Sequence, residues 1–272
     1  MKKFKLTGFV SMALTLAMII TSGSALASPV NVPGTQDQNT SWTNTEDVIV
    51  AGSTIGTKEI ITNYKKVSNE KGSSVVNLET EVHYILNANA TDIQKDILKD
   101  KIDRTTIEVT DNGDYIVNGT QFSKEELNQE LDMNNTAPNL GIPASPSLVT
   151  GGIPGVSHYY GDFTSVHFAS YSDLNILGGP EGSNYQKNGS YNNTISQRAM
   201  SQIDIFYGDY TSLSTARNLF VIEAGIAIVT IGSVFSAITE GGLAVGTASQ
   251  VWRYFQNCKS DLTQATNAIN AL

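Results

Sequence analysis

The chain has 272 residues, 26 of them acidic and 17 basic, for a formal charge of −9, and it contains one cysteine. That balance excludes a basic nucleic-acid-binding face and a surface helix held to anionic lipid by lysines. The lone Cys258 excludes an intrachain disulfide and any multi-cysteine metal site, so stability must come from packing.

Met1, Lys2, Lys3 and Lys5, the apolar run from Phe9 to Ile20 and the triplet Ala25-Leu26-Ala27 predict a signal peptide over 1–27, hence a secreted, extracellular protein. Its removal leaves about 14 basic residues against 26 acidic ones, a charge of about −12. A polar leader is expected over 28–47, followed by a small acidic α+β domain over 48–133. Within that domain, β-branched runs predict strands at 48–55, 59–67 and 75–86, and the turn chemistry of 68–73 predicts a hairpin between the last two. Over 92–102, Ile93, Ile97, Leu98 and Ile102 share one helical face, with Thr91 or Asp92 able to cap the start. Runs at 106–110 and 115–118 flank Asp111-Asn112-Gly113-Asp114, a second hairpin signal. Ser123-Lys124-Glu125-Glu126 is a capping box that opens a short helix to Leu131. Pro138, Pro143, Pro146 and Pro154, with Gly141, Gly151 and Gly152, predict a linker over 134–155. The acidic excess lies mainly before it.

A Tyr-rich β/loop region over 156–211 holds most of the 11 tyrosines. Strands are expected at 165–171 and 202–207, with a long loop over 178–193. Tyr159, Tyr160, Phe163, Phe168 and Tyr171 either build a β core, the commoner use of such rings, or form a recognition surface. The remainder, 212–272, reads as a hydrophobic helical hairpin. Leu219 to Ile238 carries a single charge, Glu223, and as one central helix would span roughly 30 Å, the thickness of a bilayer core. It suits either a helix buried all round by its own domain or a helix that enters a membrane. The second use would place Phe220, Val221, Ile222, Gly225, Ile226, Ile228, Val229, Ile231, Gly232, Val234, Phe235 and Ile238 in lipid. Gly225 and Gly232, a heptad apart, and the Gly242/Gly246 step would permit close approach of a partner helix. After the turn at Glu240-Gly241-Gly242, a heptad seam of Ala244, Ala248, Val251, Phe255, Cys258, Leu262, Ala265, Ile269 and Leu272 predicts a second long helix.

No zincin, nucleophile-elbow, Walker or dinucleotide motif occurs, so no catalytic, metal or cofactor residue is assigned. Of the three histidines, His83 sits within a predicted strand. His158 and His167 could combine with Asp162 or Asp173 as a metal or acid–base site, although their spacing does not require it. Asp111 and Asp114 fit a turn better than a calcium loop. Cys258, on the seam, reads as an inert buried thiol.

The lysine-led signal ending Ala25-Leu26-Ala27, the cysteine-poor acidic body, the Gly241-Gly242 hinge and the Trp252-Arg253-Tyr254-Phe255 tail resemble the large, secreted, unmodified bacteriocins of thermophilic bacilli, the geobacillin-type high-mass antibacterial proteins. The resemblance implies killing of related Gram-positive bacteria, with a target membrane or an envelope receptor as partner and a homo-oligomer on the membrane as one arrangement. It transfers no catalytic residue. The acidic charge departs from the cationic character of small bacteriocins. Two other classes fit the sequence: a secreted binding or surface-assembly protein, and a cell-wall lytic enzyme using His158 and His167.

Overall fold

The computed structural model describes residues 38–68, 73–131, 149–153, 157–161, 165–170 and 185–272. The signal peptide over 1–27, Asp162, Phe163, Tyr171, Asp173 and most of the expected linker lie outside them.

The fold is α+β, as expected: two antiparallel sheets and a set of C-terminal helices. The first sheet is a six-stranded meander of β1 (Gln38–Val50), β2 (Ser53–Ser68), β3 (Ser74–Leu86), β4 (Lys101–Val109), β5 (Tyr115–Val117) and β6 (Thr120–Gln121). The hairpins expected around 68–73 and 111–114 are both present. Two expectations change at β1. The latter part of the predicted polar leader is strand, and the strand predicted over 48–55 is folded in two. Trp42, Asn44, Glu46, Val48 and Val50 alternate inward, so a period of two is present but is carried partly by polar residues. At Ala51 (φ 50°) and Gly52 (φ 75°) both central residues of a two-residue turn are left-handed, which suits the twist of the hairpin.

Between β3 and β4, α1 (Asp92–Ile97) opens on a capping box at Thr91 but stops short of the predicted 102. The Asp100 carboxylate accepts from the Tyr84 backbone N–H at 2.9 Å and draws the chain back to the sheet, leaving Ile102 on an exposed strand position. The Ser123 box likewise opens α2 (Lys124–Leu127), which is shorter than predicted; the chain then reaches Leu131 through a β-bridge of Glu130 with Thr230.

The second sheet contains β7 (Val149–Ile153), β8 (Ser157–Gly161), β9 (Ser165–Ser170) and β10 (Tyr185–Ser190), in the order β10-β9-β8-β7. Part of the predicted linker is therefore β7, and part of the predicted loop over 178–193 is β10. The strand expected at 202–207 is helical, inside α3 (Thr194–Ala224), because Ala199, Ile203, Phe206, Leu213 and Phe220 recur at helical spacing along one buried stripe.

The single helix expected over Leu219 to Ile238 is two helices. α3 ends in a left-handed Gly225 (φ 66°), and Thr230 caps α4 (Ile231–Glu240) with a reciprocal bond to Ser233. Among the described residues no helix is long and apolar enough to cross a membrane. The glycines have other uses than close helix pairing. Gly225 supplies the positive φ, and Gly232 admits the Leu127 carbonyl, which would lie 3.0 Å from an added Cβ. α5 (Val245–Asn270) buries Ala248, Val251, Phe255, Cys258, Leu262, Ala265 and Ile269 as the seam predicts, but the helix it lies along is chiefly α3.

The main core joins the first sheet to the helices, with a smaller cluster of Val48, Val50, Ile55, Leu98 and Ile205 beside it. Tyr64, Val76, Leu78, Ile107 and Val117 meet Phe206, Phe220, Phe235, Trp252 and Phe255, and the Tyr64 hydroxyl donates to the Ile238 carbonyl at 3.0 Å. Residues 48–133 and 212–272 are thus packed together. A smaller core, with Tyr159, Phe168, Ile203 and Ile269, lies under the second sheet.

Candidate functional site

Where the first sheet meets α3 and α5, the core is interrupted by charge. Lys58 on β2 is nearly buried and lies 3.3 Å from both Glu46 on β1 and Asp209 on α3. Arg253 on α5 pairs with Glu46 at 3.3 Å, and both cations lie over the Tyr254 ring, at 4.3 Å for Arg253 and 5.4 Å for Lys58. Burial would lower the Lys58 ammonium, but Asp209, Tyr254 and Glu46 outweigh it and hold it well above the usual lysine range. Burial would likewise raise Asp209, yet Lys58, Lys101 and Arg253 keep its carboxyl below the usual range. Burial, then the charge of Asp209, push the Asp261 carboxyl well up, against the weaker opposing effects of Lys101 and Lys58.

Above Lys58 and Asp209 is a cavity of about 260 Å³ walled largely by Val48, Val50, Leu98 and Ile205, with Tyr84, whose hydroxyl burial pushes up to about 12. An apolar hollow with a few convergent polar groups is the usual form of a small-molecule site. The chemistry available here is positional. A lysine held this firmly in its charged form offers no free amine for nucleophilic attack.

The second distinctive place is the corner between α3 and α4. Leu219, Ile222, Ile228 and Leu243 are 43%, 76%, 55% and 71% exposed. Glu223 accepts from the Thr247 hydroxyl at 2.7 Å, which ties the end of α3 to the start of α5, two residues after Leu243. Of the residues expected in lipid, only Ile222 and Ile228 are large and exposed. Phe220, Val229, Ile231, Val234, Phe235 and Ile238 are buried core, and Val221 and Ile226 are packed against it.

Tyr159 and Phe168, two of the recognition candidates, meet within the smaller core with ring centroids 6.3 Å apart and planes tilted by 49°, which is the core use of these rings. Tyr160 pairs with His167 across β8 and β9, whereas His158 falls opposite Ala169, so the two histidines are not cross-strand partners. His167 is bonded to Asn188. Among the described residues no group of three or more His, Cys, Asp or Glu could hold a metal ion. His83 is a satisfied surface residue, raised above its ordinary value by its hydrogen bond to Asp100. The Cys258 thiol is fully buried and pushed up by that burial, as an inert seam position requires.

Glu46, Lys58, Asp209, Arg253 and Asp261 escaped the sequence reading because no motif links them. The signal was positional: Asp209 lies three residues after Phe206 and four before Leu213, on the buried stripe of α3, and a charge at such a position needs a buried partner. Comparison of the chain with protein-family models, curated proteins and solved structures finds no match.

Proposed function

We propose that this is a secreted antibacterial protein that acts at the envelope of related Gram-positive bacteria through apolar contact with the target membrane, made by the α3–α4 corner and not by a spanning helix. The observation that carries this reading is the exposure of large aliphatic side chains at the turns that bound α4: Leu219 and Ile222 at the end of α3, Ile228 before α4, and Leu243 after it. Large apolar side chains left in water along such turns suit an interaction surface. Full transfer of each such side chain out of water contributes about 1.5–3 kcal/mol, which supports reversible docking rather than permanent anchoring. The carboxylate nearest the corner, Glu223, is engaged by Thr247.

The test is sedimentation of the mature protein with anionic and zwitterionic vesicles, alongside spotting on bacterial lawns. The substitutions Ile222→Ser, Ile228→Ser and Leu243→Ser together should lower vesicle partitioning by about 100-fold or more and remove killing, since they expose nothing new and empty no core. A wild-type protein that inhibits growth while leaving vesicles and the membrane potential of living cells intact would refute the membrane step.

A further inference from the structure

A second hollow, of about 280 Å³, opens between β4 and α5, and its walls have an unusual composition. Ser249, Trp252, Arg253, Gln256, Asn257 and Ser260 recur at spacings of one, three and four and form one face of α5. Opposite them, Lys101, Asp103 and Thr105 form a period-two stripe of β4, with Thr80 of β3 beside them. A helix laid on a sheet ordinarily meets it with aliphatic side chains at such positions, as Ile107 and Val251 do in the adjoining core. Here Thr80, Ser249, Arg253 and Asn257 are all buried or nearly so. Polar groups at such positions cost free energy unless something bonds them, and Ser249 accordingly donates to the Val245 carbonyl at 2.7 Å while the Thr80 hydroxyl meets that of Thr62 at 3.5 Å.

The charged side chains that line this cleft are already paired, Arg104 included, which donates to Glu79 at 2.6 Å. The Lys101 ammonium donates to the Asn257 side-chain oxygen at 2.8 Å and pairs with Asp103 at 3.3 Å, and Arg253 is held by Glu46 at 3.3 Å. An anion would have to displace an existing carboxylate, and a cation would find only Asp103. What the cleft offers beyond these pairs is hydroxyls and side-chain amides, those of Thr105, Asn118, Gln256, Asn257 and Ser260. Uncharged donors and acceptors of this kind match a polyhydroxyl ligand.

We propose that the cleft between β4 and α5 binds a pyranose ring of a neutral glycan, with Gln256, Asn257 and Thr105 meeting its hydroxyl and acetamido groups. This inference stands apart from the membrane reading: it would place the protein on a cell-wall polymer whether or not the protein then reaches lipid.

The two tryptophans allow a direct test. Trp42→Phe leaves Trp252, in the cleft wall, as the sole indole reporter. Titration of that mature protein with the tetramer of N-acetylglucosamine should give a saturable fluorescence change, with a dissociation constant of about 0.1–10 mM. Gln256→Ala should weaken it about fivefold to tenfold, the loss of one hydrogen bond, and Gln256→Trp, which fills the cleft, should abolish it. Gln256 is only half-buried, so circular dichroism and thermal unfolding of both variants should match the parent. Vesicle partitioning should not change, which separates a failure here from a failure of the membrane step. The proposal is overturned if the neutral tetramer gives no saturation, if only a glycerol-phosphate polymer does, or if folded Gln256→Trp binds as the parent does.

Discussion

Asp209 is poorly solvated and well partnered: nearly buried, it has Lys58 at 3.3 Å. Removing Asp209 leaves the buried Lys58 with Glu46 alone, a carboxylate that Arg253 already shares. Asp209→Ala should therefore cost about 3 kcal/mol in urea unfolding at neutral pH, whereas Lys58→Met with Asp209→Leu should cost less than the single change, because no half-paired buried ammonium remains. Asp204 offers a pH-dependent counterpart. Burial pushes its carboxyl up to about 7, against the opposing effect of the Tyr159 hydroxyl that donates to it at 2.9 Å. A carboxyl raised on folding contributes stability fully below its ordinary value near 3.8, and that contribution is lost as pH rises through about 7. Asp204 and Tyr159 join α3 to the second sheet, so the attachment of that sheet should weaken between pH 5 and 8. Asp204→Asn should flatten the profile, showing a higher melting temperature than wild type at pH 8 and no advantage at pH 4.

At the scale of elements, Gly225 decides whether the apolar run is one helix or two. Gly225→Ala places a Cβ on a left-handed residue and should lower stability by about 1–2 kcal/mol, whereas Gly225→Asn should be nearly neutral; thermal unfolding of the two separates them. The same position shows what the sequence could and could not reveal. Hydropathy reports that 219–238 avoids water, and that holds for Phe235 and Ile238, but it is blind to the turn at Gly225 and to the Thr230 cap, whose meaning depends on where α2 brings Leu127. The seam of α5 was legible because one apolar residue per turn is needed along any neighbour, whichever helix that neighbour is. β1 was not, because its inward positions include the polar Asn44 and Glu46, the latter paired with Lys58 and Arg253. Asn118-Gly119, which turns β5 into β6 with φ of 48° and 80°, carried a strong local hairpin signal that the short flanking strands obscured.

At the scale of the molecule, the acidic sheet and the apolar helices depend on each other for a core. A chain ending after Leu131 would leave Tyr64, Val76, Leu78, Ile107 and Val117 without their helical cover. Such a fragment should show no cooperative thermal transition, while the full mature chain should show one. The ties that close the interface also join remote parts of the chain: Lys58 with Asp209 across 151 residues, Tyr64 with Ile238 across 174, and Glu46 with Arg253 across 207. Each waits for a helix far along the chain, α3, α4 and α5 in turn, and loop closure over such separations is slow. The buried contacts therefore act as a late latch: the inner face of the first sheet is closed only when all three helices have been made.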